Sequence, residues 1–285
     1  MSSISQFQLK AKNAIQNPSD YLKSVQYRIR EHWRYYTSQI NPFPILIFGN
    51  QKSGTSAIAT LLGEATGLSY TVDVFCLYGD LEERLLQHKT SFDELLDRAR
   101  FYFSRDIIKE PGLTFFYDDL CTHFPNSPHV FVLRDPYDNI RSILNRADLP
   151  GNLEDLQECH WQYIREKLPH WHVVFDGTLA SHQGDTYIET LALRCRQVFE
   201  IYLNCQPHVI PIWYESFKRN KVETIHHLAN ELKLSIKYDI EQIKDTQFQP
   251  KGNSSIDTET FFGSHNIERI KRICGETALS VGYEL

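Results

Sequence analysis

Residues 44–56 read PILIFGNQKSGTS, an apolar run followed by a glycine-containing loop. Its first half, residues 45–48, is a continuous apolar run that predicts a buried β-strand. A short loop with Lys52 and Gly54 follows, and the apolar-periodic segment 57–62 then predicts a helix. A helix that begins directly after such a loop presents unpaired backbone N–H groups and the positive end of its dipole. The sequence therefore predicts a cradle for an anion.

The loop differs from a P-loop in the position of its lysine. A P-loop reads G-x-x-x-x-G-K-[ST]. Here Gly49 and Gly54 have that spacing, but Thr55 stands in the place of the lysine, and Lys52 lies before the second glycine. The rearrangement resembles the 5′-phosphosulfate loop, commonly [PQ]-[KR]-S-G-T-[ST], of the sulfotransferases that use 3′-phosphoadenosine 5′-phosphosulfate (PAPS). A strand–turn–helix with an incidental lysine is the alternative interpretation.

This resemblance implies a role for each residue of the loop. Thr55 and Ser56 are expected at the 5′-phosphate, and Lys52 at the bridging oxygen that becomes negative when the sulfuryl group leaves. The expected contacts to PAPS from this loop are Gln51, Lys52, Ser53, Gly54, Thr55 and Ser56.

A second motif, HVFVLRDPYDNIRSIL, spans residues 129–144. Its apolar start predicts a buried strand that ends at Arg134, and Asp135 and Pro136 are typical of the start of a helix. Sulfotransferases are similar here: an arginine ends a strand, D-P-x-D follows, and a serine lies eight residues beyond the arginine. The resemblance implies that Arg134 and Ser142 hold the 3′-phosphate of PAPS, for which a guanidinium is well shaped. A local ion pair between Arg134 and Asp135 is the alternative.

Two later segments resemble the family more weakly. Residues 208–217, HVIPIWYESF, are similar to a Y-E-D segment whose tyrosine lies near the adenine, so Tyr214 is a candidate stacking residue or a core aromatic. Residues 248–255, FQPKGNSS, are similar to a late K-G segment that closes over the 3′-phosphate. The resemblance assigns Lys251 and Gly252 to that contact, although a proline stands where an arginine commonly precedes the lysine.

The residue that takes the acceptor's proton has two candidates. Small-molecule sulfotransferases use a histidine in a K-T-H segment, but the corresponding residues 107–111, IIKEP, contain none. Lys109 matches a family lysine that acts at the transferred group. Other branches use a carboxylate beyond the loop lysine, which implies Asp73, 21 residues after Lys52 (73 − 52 = 21). Glu110 is the second candidate, and Asp73 as a turn residue is the alternative.

Length and patterning indicate an α/β fold with a parallel central sheet flanked by helices, a three-layer sandwich like that of P-loop NTPases. The 285 residues suffice for one sulfotransferase-like domain at 41–285, preceded by a helical extension at 1–40. Strands are predicted at 43–49, 68–75, 129–134 and 208–214. Helices are predicted at 55–67, 80–103, 137–146, 153–168, 185–204, 221–233 and 266–280. Residues 172–177 are not assigned to a helix or a strand.

Composition limits the function classes. A net charge of −6 argues against a general nucleic-acid binder, since phosphate contacts need clustered Lys and Arg. Six cysteines without a C-x-x-C or metal spacing indicate free thiols in a reducing, cytoplasmic compartment. The longest apolar run, residues 43–48, is far below the roughly 20 residues of a transmembrane helix. We therefore expect no membrane span.

The resemblance implies transfer of a sulfuryl group from PAPS to an acceptor hydroxyl or amine, without a metal, leaving adenosine 3′,5′-bisphosphate (PAP). No motif identifies the acceptor, which could be a carbohydrate, lipid, small molecule or peptide. Two alternatives stay open: a P-loop kinase with a displaced lysine, and a non-catalytic nucleotide-binding protein of the same fold. Against the kinase, the apolar run at 130–133 ends in Arg134 rather than in an aspartate for Mg²⁺.

Overall fold

The five strands of the described chain run parallel in one sheet. The computed structural model describes residues 33, 35–74, 77, 84–85, 89–178, 183–205, 209–246 and 256–285. The strands are β1 Ile45–Gly49, β2 Tyr70–Thr71, β3 Ile107–Lys109, β4 His129–Leu133 and β5 Val209–Trp213, in the spatial order β2-β3-β1-β4-β5. β1 is central: Ile47 pairs with Lys109 of β3 on one side and with Val130 of β4 on the other.

Helices connect the strands. In chain order they are α1 Thr55–Thr66, α2 Phe92–Arg98, α3 Tyr117–His123, α4 Pro136–Ala147, α5 Glu158–Lys167, α6 His172–Phe175, α7 Tyr187–Cys205, α8 Tyr214–Arg219, α9 Lys221–Glu231 and α10 Thr258–Ser280. Short 3₁₀ turns lie at Tyr102–Ser104, Pro111–Phe116 and Pro169–Trp171.

Helices cover both faces of the sheet. Side chains alternate along a strand, so the fully apolar β1 supplies two cores. Ile45 and Ile47 pack in a cluster with residues of α1 and α9. Leu46 and Phe48 pack on the other face with residues of α2, α3 and α7. The predicted three-layer arrangement, with a parallel sheet between helices, is confirmed.

Several details of the sequence prediction were wrong, and helices α3 and α8 were not predicted. Strand β3 was not predicted, because 3₁₀ turns rather than helical patterns flank its three residues. The described part of the predicted helix 80–103 contains α2 and a separate 3₁₀ turn. Ser91 is the N-cap of α2, because its side chain accepts from the Glu94 N–H at 3.2 Å. The last helix begins at Thr258 rather than 266, since a kink at Gly263 (φ 71°) interrupts its helical period.

The N-terminal extension predicted at 1–40 lies almost entirely outside the described residues. Of its described part, residues 35–37 are helical, and the Tyr35 hydroxyl donates to the Asp97 carboxylate of α2 at 2.7 Å. Within the described ranges, every helix is too short or too polar to cross a lipid bilayer.

Candidate functional site

Segments that follow three neighbouring strands meet at one edge of the sheet. Lys52 follows β1, Arg134 follows β4, and Tyr214 opens α8 directly after β5. The guanidinium carbon of Arg134 lies 4.3 Å from the centre of the Tyr214 ring, and Arg134 Nη1 donates to the Lys52 carbonyl oxygen at 2.5 Å. Because the carboxyl ends of parallel strands share one edge, the sheet brings these predicted site residues into contact.

Gly54 shapes the start of α1. It is the N-cap residue with φ 96°, in the left-handed region that glycine adopts at little cost. A Cβ atom here would lie 2.4 Å from the Tyr214 ring, so a larger residue does not fit. A glycine cap has no side chain to accept from the first-turn N–H groups, which begin at Thr55 and Ser56. These groups and the helix dipole suit a bound anion.

Lys52 lies in a strongly positive environment. Its backbone φ is 66°, a left-handed conformation that costs a non-glycine residue about 1–3 kcal/mol and clusters at functional sites. Burial is the main reason why the pKa of Lys52 falls to about 8. The charges of Arg146, Arg134 and Lys109 lower the same pKa further. A polyanionic ligand would relieve this concentration of positive charge.

A buried polar network supports the loop from behind. Asn50 Nδ2 donates to Asn139 Oδ1 at 2.7 Å, and Asn139 Nδ2 donates to the Gln51 carbonyl at 2.9 Å. Arg194, only 1% exposed, donates from Nε to Asn50 Oδ1 at 2.8 Å and from Nη2 to Gln51 Oε1. The Ser53 hydroxyl is turned inward and donates to the Asn50 carbonyl at 2.7 Å. Two predicted contact residues, Gln51 and Ser53, thus have side chains engaged within the protein.

The candidate acid–base residues lie on the other side of β1. Lys109 ends β3, and its Nζ lies 2.9 Å from Oδ1 of Asp73, two residues beyond β2. The Asp73 side chain is 31% exposed, whereas Glu110 is only 2% exposed. Glu110 accepts backbone hydrogen bonds from Val74 and Gly112, and burial raises its pKa. Of the two candidate bases, Asp73 is the one that solvent reaches.

The second motif forms the predicted strand-to-helix junction. Asp135 caps α4 by accepting from the Asp138 N–H at 2.9 Å, and Pro136 is the first helical residue. The Asp135 N–H donates to Glu215 Oε1 at 3.1 Å, which joins α4 to α8. Ser142 lies half-buried in the second turn of α4. Lys251 and Gly252, predicted for the late clamp, lie outside the described residues.

One solved structure shows the same fold as this chain. Sulfotransferase STF9 from Mycobacterium avium matches 92% of this chain and 82% of its own length, with a TM-score of 0.54 at 10% sequence identity. The chain has a sulfotransferase-like fold. Such low identity establishes the fold and leaves the activity to be argued from the site. No family model matches the chain, and no curated protein sequence matches it significantly.

Other sulfotransferase structures resemble the chain with lower scores. The sulfotransferase from Alicyclobacillus acidocaldarius has a TM-score of 0.41 at 18% identity, covering 82% of this chain and 96% of its own. Mouse sulfotransferase SULT7A1, complexed with PAP, has a TM-score of 0.44 at 11% identity, covering 85% of this chain and 86% of its own.

The sequence patterns did not predict several residues that hold this candidate site together. Asn50 and Asn139 lie inside the two motifs, and that position is the signal that could have found them. Both are buried. Arg194 interrupts the apolar stripe of α7 between Leu191 and Val198, and a charge in such a stripe indicates a buried polar contact. Thr114 gave no signal; its hydroxyl donates to the Gly49 carbonyl at 3.1 Å and accepts from the Gly49 N–H at 3.0 Å.

Proposed function

We propose that this protein is a PAPS-dependent sulfotransferase. The observation that carries the proposal is the junction of the two motifs: Arg134 contacts both the Lys52 carbonyl and the ring of Tyr214. This junction sets a guanidinium beside the open first turn of α1. The Arg134 guanidinium and the first turn of α1 are two separate positive groups. They suit a ligand whose two anionic ends are joined through a nucleoside better than they suit a single phosphate.

The phosphosulfate end would lie at the loop after β1. The backbone N–H groups of Thr55 and Ser56, together with their hydroxyls, would bind the 5′-phosphate. Lys52 would stabilise the negative charge that develops on the bridging oxygen, a contribution that is largest in the transition state. With a pKa of about 8, most Lys52 side chains carry the required proton at neutral pH.

The nucleoside end would lie between β4 and β5. Arg134 and Ser142 would hold the 3′-phosphate from the strand end and from α4. Tyr214 would contact the adenine with the part of its ring that Gly54 and Arg134 leave open. Lys251 and Gly252 are assigned to the same phosphate by the family resemblance.

Asp73 is the proposed base. It is partly exposed at the edge that holds Lys52, and Lys109 pairs with it at 2.9 Å. The acceptor oxygen or nitrogen would form a bond to sulfur while the bond from sulfur to the bridging oxygen breaks. Asp73 would take the acceptor's proton, and the electron pair would stay on the oxygen beside Lys52. Lys109 would orient Asp73 and add positive charge near the transferred group.

A thermal-shift panel separates this function from its two alternatives. We expect PAP without metal to raise the melting temperature more than adenosine or ATP with Mg²⁺, because a ligand stabilises the folded state according to its affinity. A larger shift with ATP and Mg²⁺ would favour the kinase. A PAP shift without any sulfuryl transfer would favour the non-catalytic nucleotide-binding protein.

A further inference from the structure

Glu110 is a buried carboxylate that the proposed reaction does not use directly. It follows β3 and is 2% exposed. Its Oε2 accepts from the Val74 N–H at 3.0 Å, and its Oε1 accepts from the Gly112 N–H at 3.1 Å. A buried carboxylate is costly unless its oxygens are bonded, so its retention here needs a reason. The reason lies in the two segments that it joins.

Each segment leads directly to the site. Val74 follows Asp73, so the bond from Val74 fixes the backbone that carries the proposed base. Gly112 lies in the 3₁₀ turn Pro111–Phe116, whose Thr114 exchanges two hydrogen bonds with Gly49 at the start of the phosphosulfate loop. Glu110 thus lies in an unbroken path of hydrogen bonds and backbone between Asp73 and that loop.

We propose that Glu110 is a positioning residue, which holds Asp73 at a fixed distance from Lys52 and the phosphosulfate loop. The inference rests on the proposed function, because it assigns Glu110 a part in that reaction. Glu110 acts through Asp73 and does not touch the substrate. Neighbouring Lys109 orients the Asp73 side chain by its ion pair, whereas Glu110 holds the backbone beneath it.

A double-mutant cycle tests this role. Glu110→Gln keeps the shape, but its amide nitrogen cannot accept from one of the two N–H donors. Turnover is measured as PAP formed from PAPS with a pool of phenols, carbohydrates, lipids and peptides. We expect kcat to fall about tenfold or more, since small misplacement of a reacting group is costly. PAP affinity should stay within about threefold. In the Asp73→Asn background the same change should cost less than about twofold, because residues that act as one unit are not additive.

Two further variants separate positioning from a general loss of structure. Glu189, on α7, is another buried carboxylate, and it accepts from the Asp185 backbone N–H at 3.0 Å. Glu189→Gln is the control variant. It should lower stability and leave kcat unchanged. Glu110→Asp keeps the charge but is too short to reach both donors, and it replaces Glu110→Gln if that variant does not fold. The proposal would be overturned if Glu110→Gln lowered kcat equally in the wild type and in Asp73→Asn. It would also be overturned if Glu110→Gln lowered PAP affinity in parallel with kcat.

Amide hydrogen exchange keeps the test independent of activity. Glu110→Gln should speed exchange at Val74 or Gly112, whether or not the wild-type protein turns over PAPS. If the wild type forms no PAP but exchange changes as expected, the proposed function fails while the connection made by Glu110 survives. Unchanged exchange at both amides would show that Glu110 does not hold these segments and would overturn the proposal.

Discussion

Lys52 is the residue whose charge matters most for the proposed reaction. Its pKa of about 8 lies below the ordinary 10.5, so it loses its proton as the pH rises through about 8. We expect kcat/KM for PAPS, which reports the free enzyme, to fall about tenfold per pH unit above that point. Lys52→Arg stays charged and should abolish this alkaline decline. A decline at the same pH in Lys52→Arg would assign it to another group.

Arg134 is the residue that we propose to select the nucleotide. Charge-assisted contacts are worth about 1.5–3 kcal/mol each, so loss of the 3′-phosphate should weaken binding by at least about tenfold. Calorimetry without metal should therefore show PAP binding far more tightly than adenosine 5′-monophosphate. Arg134→Ala should remove most of that difference. Equal affinities of the wild type for the two nucleotides would contradict the assignment of Arg134 and Ser142 to the 3′-phosphate.

At the scale of elements, the start of α1 depends on one glycine. Gly54→Ala would place a Cβ atom 2.4 Å from the Tyr214 ring and force a residue other than glycine to φ 96°. The backbone strain alone should lower the free energy of unfolding by about 1–3 kcal/mol, and PAP binding should be lost. The measurements are urea denaturation and calorimetry.

Gly275 is the matched control for Gly54. It lies within α10, where, among the described residues, an added Cβ would meet only Lys271 Cγ at 3.9 Å. Gly275→Ala should raise the free energy of unfolding by about 0.5–1 kcal/mol, because alanine favours helices, and should leave PAP binding unchanged. If Gly54→Ala behaved like Gly275→Ala, the contact between α1 and Tyr214 would not shape the site.

For the whole molecule, the sequence predicts elements that have a regular apolar pattern. It does not predict contacts between residues that are distant along the chain. Strands β1, β4 and β5 and the parallel sheet were predictable, since buried parallel strands are continuous apolar runs between helical patterns. Of the described residues in the predicted strand 68–75, only the two residues of β2 are a strand. β3 was not predictable, because its three residues lie between 3₁₀ turns and not between helical patterns. Within the site, Lys52 and Arg134 follow such runs and were found. Arg194 and Thr114 support the loop from 143 and 65 residues away along the chain, and local patterns do not encode such contacts.

Transfer of radiolabelled sulfate from PAPS is the decisive measurement for the proposed activity. The wild-type protein and Lys52→Ala are incubated with labelled PAPS, without metal, and with pooled carbohydrates, phenols, lipids and peptides. We predict that the wild type labels an acceptor. Lys52→Ala should remain folded and lose turnover by about a hundredfold while PAP affinity changes far less, because Lys52 acts mainly in the transition state. Equal labelling by both proteins would contradict the proposed catalytic loop, and no labelling by a wild-type protein that binds PAP would contradict the proposed activity.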